Sequence, residues 1–114
     1  MWRLKINMFR VYKGPKFQKE VEKLLTKSEQ EEMEKFITDL KKGDIHGKPL
    51  TYDYFREKKI GGKRLYFLIY QEIEIVLLIS VSTKKYQQET IDEIKWFLPQ
   101  FKEYAYKLKK TNIQ

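Results

Sequence analysis

Between Tyr54 and Tyr86 the chain carries Arg56, Glu57, Lys58, Lys63, Arg64, Lys84, Lys85 and Tyr86, the residue types whose chemistry is easiest to read. A guanidinium presents a planar fork of donors that matches the oxygens of a phosphate. Lysines bring charge to the same kind of group, but an ammonium with its ordinary pKa near ~10.4 is a poor base at neutral pH. Glu57 is the carboxylate that could take a proton; it equally suits a role holding Arg64 or Lys59 in place. Tyr86 suits stacking on a splayed base, or packing against the last helix. Arg56 and Lys58 share one face of their segment if it is a strand, because side chains alternate there.

Other chemistries are excluded by what is missing. The chain has no cysteine, which removes thiol catalysis, disulfides and thiolate metal sites. Its single histidine, His46, lies in a glycine-flanked loop and cannot alone complete a zinc site or a Ser-His-Asp triad. No metal and no cofactor is therefore expected. The apolar run around Ile75 to Ile79 is too short to span a bilayer. The opening Met1-Trp2-Arg3-Leu4-Lys5-Ile6 alternates instead of forming an apolar block, so no signal peptide is expected. These features predict a soluble, cytoplasmic protein.

The net charge of +8 is unevenly spread. Residues 17–40 are net −3 and the rest of the chain is net +11. A basic surface set against an acidic segment suits a polyanionic partner, although lysine-rich surfaces also serve solubility alone.

The elements that must position these side chains follow from periodicity. Residues 2–12 alternate, with Trp2, Leu4, Ile6 and Met8 on one face, and predict a half-buried strand. Gly14-Pro15 ends it. Phe17, Val21, Leu24 and Leu25 make one helical stripe, and Met33, Phe36, Ile37 and Leu40 make a second, with Ser28 and Glu31 as a capping box and Gly43 as the stop. Residues 16–42 thus predict a helical hairpin, acidic outside. A loop over 43–53 leads to two alternating segments, Tyr54–Ile60 and Lys63–Tyr70, around a Gly61-Gly62 hairpin turn. Glu72–Ser82 is apolar on both faces and predicts a strand in the middle of the sheet. Thr90 and Glu93 suggest the cap of a C-terminal helix seamed by Ile91, Ile94, Leu98, Phe101, Ala105 and Leu108. Pro99 must kink or divide that helix. Trp96, Phe97, Phe101 and Tyr104 are expected in core and rim packing; Trp2 and the last helix could instead leave an apolar groove for a partner segment. The expected whole is one α+β domain over 1–114, in the order β-α-α-β-β-β-α. Its sheet is small, twisted and mostly antiparallel, with the helical hairpin on one side and a C-terminal helix.

This order resembles the RelE/ParE toxin superfamily, and most nearly its HigB-like, phage-derived branch. Four stretches carry the likeness: Gly47-Lys48-Pro49-Leu50 before the hairpin, Tyr54-Phe55-Arg56-Glu57-Lys58-Lys59, Gly62-Lys63-Arg64-Leu65-Tyr66-Phe67, and Ser82-Thr83-Lys84-Lys85-Tyr86-Gln87. The valine usual after the arginine is replaced by Leu65. Lys84 and Lys85 stand where arginine or histidine is common. The resemblance implies a toxin of a toxin–antitoxin pair, a metal-independent endonuclease that cuts mRNA on the ribosome. The reaction would be attack of a ribose 2′-hydroxyl on the adjacent phosphate. It implies catalytic roles for Arg64, Lys84, Lys85 and Glu57, and RNA binding by Arg56, Lys58, Lys63 and Tyr86. The implied partners are ribosome-bound mRNA and a cognate antitoxin. Two other readings fit the same scaffold: a non-enzymatic ParE-like inhibitor, and a divergent RNA- or protein-binding module. Convergence of Arg64, Arg56 and Lys84 is what a nuclease needs.

Overall fold

The computed structural model describes residues 8–111. The strand expected over 2–12 therefore lies largely outside the described residues, and β1 is Arg10–Lys13. After it come α1 (Phe17–Leu24), α2 (Lys27–Lys41), β2 (Lys48–Pro49), β3 (Phe55–Ile60), β4 (Lys63–Tyr70), β5 (Ile75–Thr83), α3 (Gln87–Trp96) and α4 (Leu98–Thr111). Short 3₁₀ turns at Gln71–Ile73 and Lys84–Tyr86 flank β5.

The sheet is ordered β1-β5-β4-β3-β2. β1 runs parallel to β5, and the other pairs are antiparallel. β5 is an interior strand, as its apolar faces require, although β4 occupies the centre. The two-residue turn at Gly61-Gly62 sets the hairpin, and Gly61 takes the positive φ of 59° that such turns demand.

Alternation sorts the strands into two cores. Phe67, Ile69, Val76 and Leu78 face α1 and α2, meeting Phe17, Val21, Phe36 and Leu40. Phe55, Leu68, Tyr70, Ile75 and Leu77 face α3 and α4, meeting Ile91, Ile94 and Ala105. β1 ends against Leu78. Beyond that point no strand among the described residues lies beside β5, and Glu20 of α1 accepts a hydrogen bond from the Val81 N–H at 3.0 Å. A carboxylate there stands in for the missing ladder partner.

Several local expectations shift. The capping box of α2 is formed by Thr26 and Glu29, two residues before Ser28 and Glu31. Thr90 caps nothing, because the 3₁₀ turn after β5 runs straight into a helix that starts at Gln87; its hydroxyl donates to the Tyr86 carbonyl at 2.8 Å from inside the helix. The C-terminal helix is divided, and the break is at Phe97. Pro99 sits in the first turn of α4, where a missing N–H costs least. Phe101 packs on the core as expected, but Trp96 is 80% exposed. No helix among the described residues is long and apolar enough to cross a membrane.

Candidate functional site

Counting outward from the Gly61-Gly62 turn, Lys63 pairs with Ile60, Arg64 with Lys59, and Tyr66 with Glu57. On the other side Arg64 pairs with Ser82 and Tyr66 with Ser80. Directly paired residues share a face, so Lys59, Glu57, Arg64, Tyr66, Ser80 and Ser82 lie together on the side covered by α3 and α4. That is a polar inclusion in an otherwise apolar core.

Arg64 and Glu57 are both buried, at 8% and 4% exposure. Arg64 Nε lies 3.7 Å from Glu57 Oε2, an ion pair too long for a hydrogen bond, and Nε has no hydrogen-bond partner among the described residues. Arg64 Nη1 donates to the Gly62 carbonyl at 3.4 Å. Glu57 Oε1 accepts from Gln87 Nε2 at 2.7 Å, which ties the first residue of α3 to the sheet. The guanidinium is thus held in position by charge while much of its donor capacity is unspent.

Beside it, Ser82 Oγ donates to the Thr83 carbonyl at 3.0 Å and lies 2.9 Å from Tyr66 Oη. A serine has one proton to give, so Tyr66 donates to Ser82. Burial raises the Tyr66 pKa, the Ser82 contact opposes this, and Glu57 adds to the rise. The phenol is a neutral donor at physiological pH.

Around this buried pair stand exposed cations. Lys59 is exposed across from Arg64. Lys84 and Lys85 follow Thr83, which pairs with Lys63 at the same end of the sheet. Lys85 Nζ sits 5.5 Å above the Tyr86 ring, and Tyr86 is 51% exposed. Among the described residues, Lys59, Lys84 and Lys85 form no ion pair.

The expected grouping of Arg56, Lys58 and Lys63 with Arg64 is not what the register gives. Alternation turns all three to the opposite face. Lys63 donates to Glu29 of α2 at 2.8 Å, and Lys58 Nζ lies 5.6 Å above the Phe36 ring. Arg56 is bound to the Asp53 carbonyl at 2.9 Å and to its carboxylate at 3.0 Å. His46 Nε2 stands 3.1 Å from Asp44 and 3.9 Å from Asp39. These three residues are the one group among those described that could hold a metal ion, and they are half-buried to exposed.

Lys59, Gln87, Tyr66 and Ser82 belong to the site and were not singled out from sequence. Lys59 and Tyr66 follow by register from the glycine turn; Ser82 lies on β5, whose register against β4 is set by the separate Gln71–Glu74 connection and is shifted between Tyr66 and Phe67. Gln87 does not follow by register, because its contact depends on where α3 docks.

No protein-family model matches the chain, and no curated relative does. Solved structures do. The chain is similar to the Escherichia coli toxin RelE, a double arginine-to-alanine mutant in complex with a peptide of the antitoxin RelB. Identity is 20%, with 73% of this chain and 94% of that one covered and a TM-score of 0.56. It is similar also to the isolated Escherichia coli RelE toxin, at 22% identity, covering 76% and 98%, with a TM-score of 0.53. At such identities the likeness shows the fold: the chain has the α+β architecture of RelE.

Proposed function

We propose that this chain is the toxin of a toxin–antitoxin pair that acts in the cytoplasm on ribosome-bound mRNA, through a phosphate-binding centre at Arg64. The observation that carries the proposal is the buried Arg64, charge-paired with Glu57 but short of hydrogen bonds, at the end of the sheet where Lys59, Lys84 and Lys85 stand unpaired. On a RelE fold, that arrangement suits an RNA phosphate. The 2′-oxygen attacks the adjacent phosphate as its proton passes to solvent, and the P–O5′ bond breaks to leave a 2′,3′-cyclic phosphate. The departing 5′-oxygen takes a proton from Lys84 or Lys85, while fixed cations stabilise the negative charge on the phosphorane oxygens. Arg64 supplies the fork, the lysines supply field, and exposed Tyr86 supplies a stacking surface. Glu57 has its oxygens turned to Gln87 and Arg64, so its role is to position Arg64.

That engagement of Glu57 also favours a second reading, in which the toxin inhibits by binding alone, since the carboxylate suited to take a proton is already committed. The partner antitoxin would mask the same surface. The deciding measurement is cleavage of a defined mRNA on purified ribosomes. Arg64→Ala should lower the cleavage rate by about 100-fold or more, the usual loss for one preorganised donor. Arg56→Ala should change it by less than about threefold, because Arg56 is on the other face. If the wild-type protein blocks translation yet leaves the mRNA intact, the binding-only reading replaces the nuclease. Equal loss in the two variants would remove the case for Arg64.

A further inference from the structure

A second site lies on the same face of the sheet, at the end away from Arg64. Eight residues of β4 run from Lys63 to Tyr70, which places Tyr70 roughly 20 Å from Arg64 at the usual strand rise. There a cavity of about 570 Å³ opens between the β3–β4 edge and the junction of α3 with α4.

Its wall is aromatic. Tyr52 and Tyr54 are stacked at 5.4 Å with 15° between planes, and Tyr54 meets Tyr70 at 6.2 Å. Tyr52 and Tyr54 remain 46% and 37% exposed, Tyr52 at the outer end of the stack. Lys95 and Lys102 line the cavity, and so do Leu98 and Pro99 in the first turn of α4. The two ammonium groups favour an anion. Lys95 makes no ion pair among the described residues. Glu72 also lines the cavity, but it accepts the Tyr106 hydroxyl at 2.6 Å, and that contact, aided by the nearby Lys102 charge, holds its carboxyl below the ordinary range.

The second observation is Tyr70 itself. The residue is 4% exposed and lines the cavity, yet its hydroxyl has no hydrogen-bond partner among the described residues. Burial first, then the neighbouring Tyr54, Glu72 and Tyr106, push its pKa far up, so it stays protonated. A buried donor left unmade is costly and is relieved by a ligand acceptor.

We propose that this cavity binds a nucleotide, free or within single-stranded RNA. Its base extends the Tyr52–Tyr54 stack, its phosphate lies toward Lys95 and Lys102, and Tyr70 donates to one of its oxygens. Stacked tyrosines favour a base over an acidic peptide, because each base offers a flat π-face for the exposed rings. The site does not depend on the activity assigned to Arg64.

Calorimetric titration of the full chain with adenosine monophosphate, inorganic phosphate and a short single-stranded oligoribonucleotide tests it. Adenosine monophosphate should bind, and phosphate should bind at least about tenfold more weakly, because the base contributes stacking. Tyr54→Ala should weaken nucleotide binding roughly tenfold, and Tyr70→Phe, which keeps the ring, about fivefold. In the Arg64→Ala protein, tighter binding of the oligoribonucleotide than of the mononucleotide, lost again on adding Tyr54→Ala, assigns the site to RNA; the reverse assigns it to free nucleotide. Arg64→Ala should leave the mononucleotide affinity unchanged, so loss of cleavage and loss of this binding are separable. Equal binding of phosphate and nucleotide, or an unaltered affinity in a folded Tyr54→Ala protein, overturns the proposal. So does an acidic peptide that binds where the nucleotide does not.

Discussion

The two faces of the β3–β4 hairpin carry similar numbers of charged residues and treat them differently. On the face under α1 and α2, Lys63 is bonded to Glu29 and Lys58 rests over Phe36, and the core between them is apolar. On the face under α3 and α4, the cations at the same end of the sheet are either buried with one long ion pair, as Arg64 is, or left without an acidic partner, as Lys59 is. The helical hairpin accounts for part of the difference, through Glu29 on Lys63 and Phe36 under Lys58, while Arg56 is paired with Asp53 of the loop before β3. Net charge therefore overstates how many cations lack an acidic partner, and the proposed function rests on those the acidic helices do not reach.

Breaking the scaffold face should have the largest effect. Phe67 is fully buried and meets Phe36 edge to face at 5.3 Å. Phe67→Ala should cost about 3–5 kcal/mol in urea unfolding with an unchanged m-value. A cost under ~1 kcal/mol would mean that the face is not the packed support described.

The polar face is tested next through its ion pair. Glu57→Gln keeps a hydrogen-bond acceptor for Gln87 but removes the charge beside Arg64. A buried charge left without its partner costs about 3 kcal/mol. Because the loss arises from the survivor, combining Glu57→Gln with Arg64→Met should restore part of the stability. Full additivity of the two costs would show that Arg64 and Glu57 do not act as a pair. A smaller effect, about 1 kcal/mol, is expected of Tyr66→Phe, which removes the donor to Ser82 while leaving the serine's own bond to Thr83 intact.

Much of this contrast was legible in the chain. Alternation and the Gly61-Gly62 turn fix that Arg56 and Lys58 share a face, and counting from the turn puts Arg64 on the other one, across from Lys59. Nearness in sequence misplaces Arg56, Lys58 and Lys63, which the register sets on the face opposite Arg64. Other features needed the third dimension. Thr26-x-x-Glu29 and Ser28-x-x-Glu31 both fit a capping box, and the stripe of Met33, Phe36, Ile37 and Leu40 is indifferent to the choice. Docking decides it, because Glu29 also meets Lys63 of β4. Where α3 begins depends on the 3₁₀ turn after β5, which has no periodic signature, whereas Pro99 announces that the helix is divided but not that the break falls at Phe97. The polar inclusion was hidden for the same reason: Gln87 reaches Glu57 across 30 residues of sequence.

The Glu29–Lys63 contact gives the finest test, because it asks whether Lys63 belongs to the scaffold. Glu29 Oε1 accepts from Lys63 at 2.8 Å and from the Thr26 N–H at 2.9 Å. The Lys63 hydrogen bond first, then the Thr26 N–H, hold its carboxyl below the ordinary 4.5. A folded-state pKa lowered in this way means the unfolded chain binds the proton more readily. The stabilisation is therefore complete above the ordinary value of 4.5 and is lost as pH falls through the lower folded value. With side chains 23% and 16% exposed, the contact is partly screened, and Glu29→Gln should cost about 1 kcal/mol at pH 7. That cost should shrink as the pH is lowered below 4.5, where the wild-type carboxylate is itself being protonated. Urea unfolding of both proteins across pH 3 to 7 measures it. A cost that stays constant with pH would mean that Glu29 is not held by Lys63, and would return that lysine to the pool of cations free to meet a ligand.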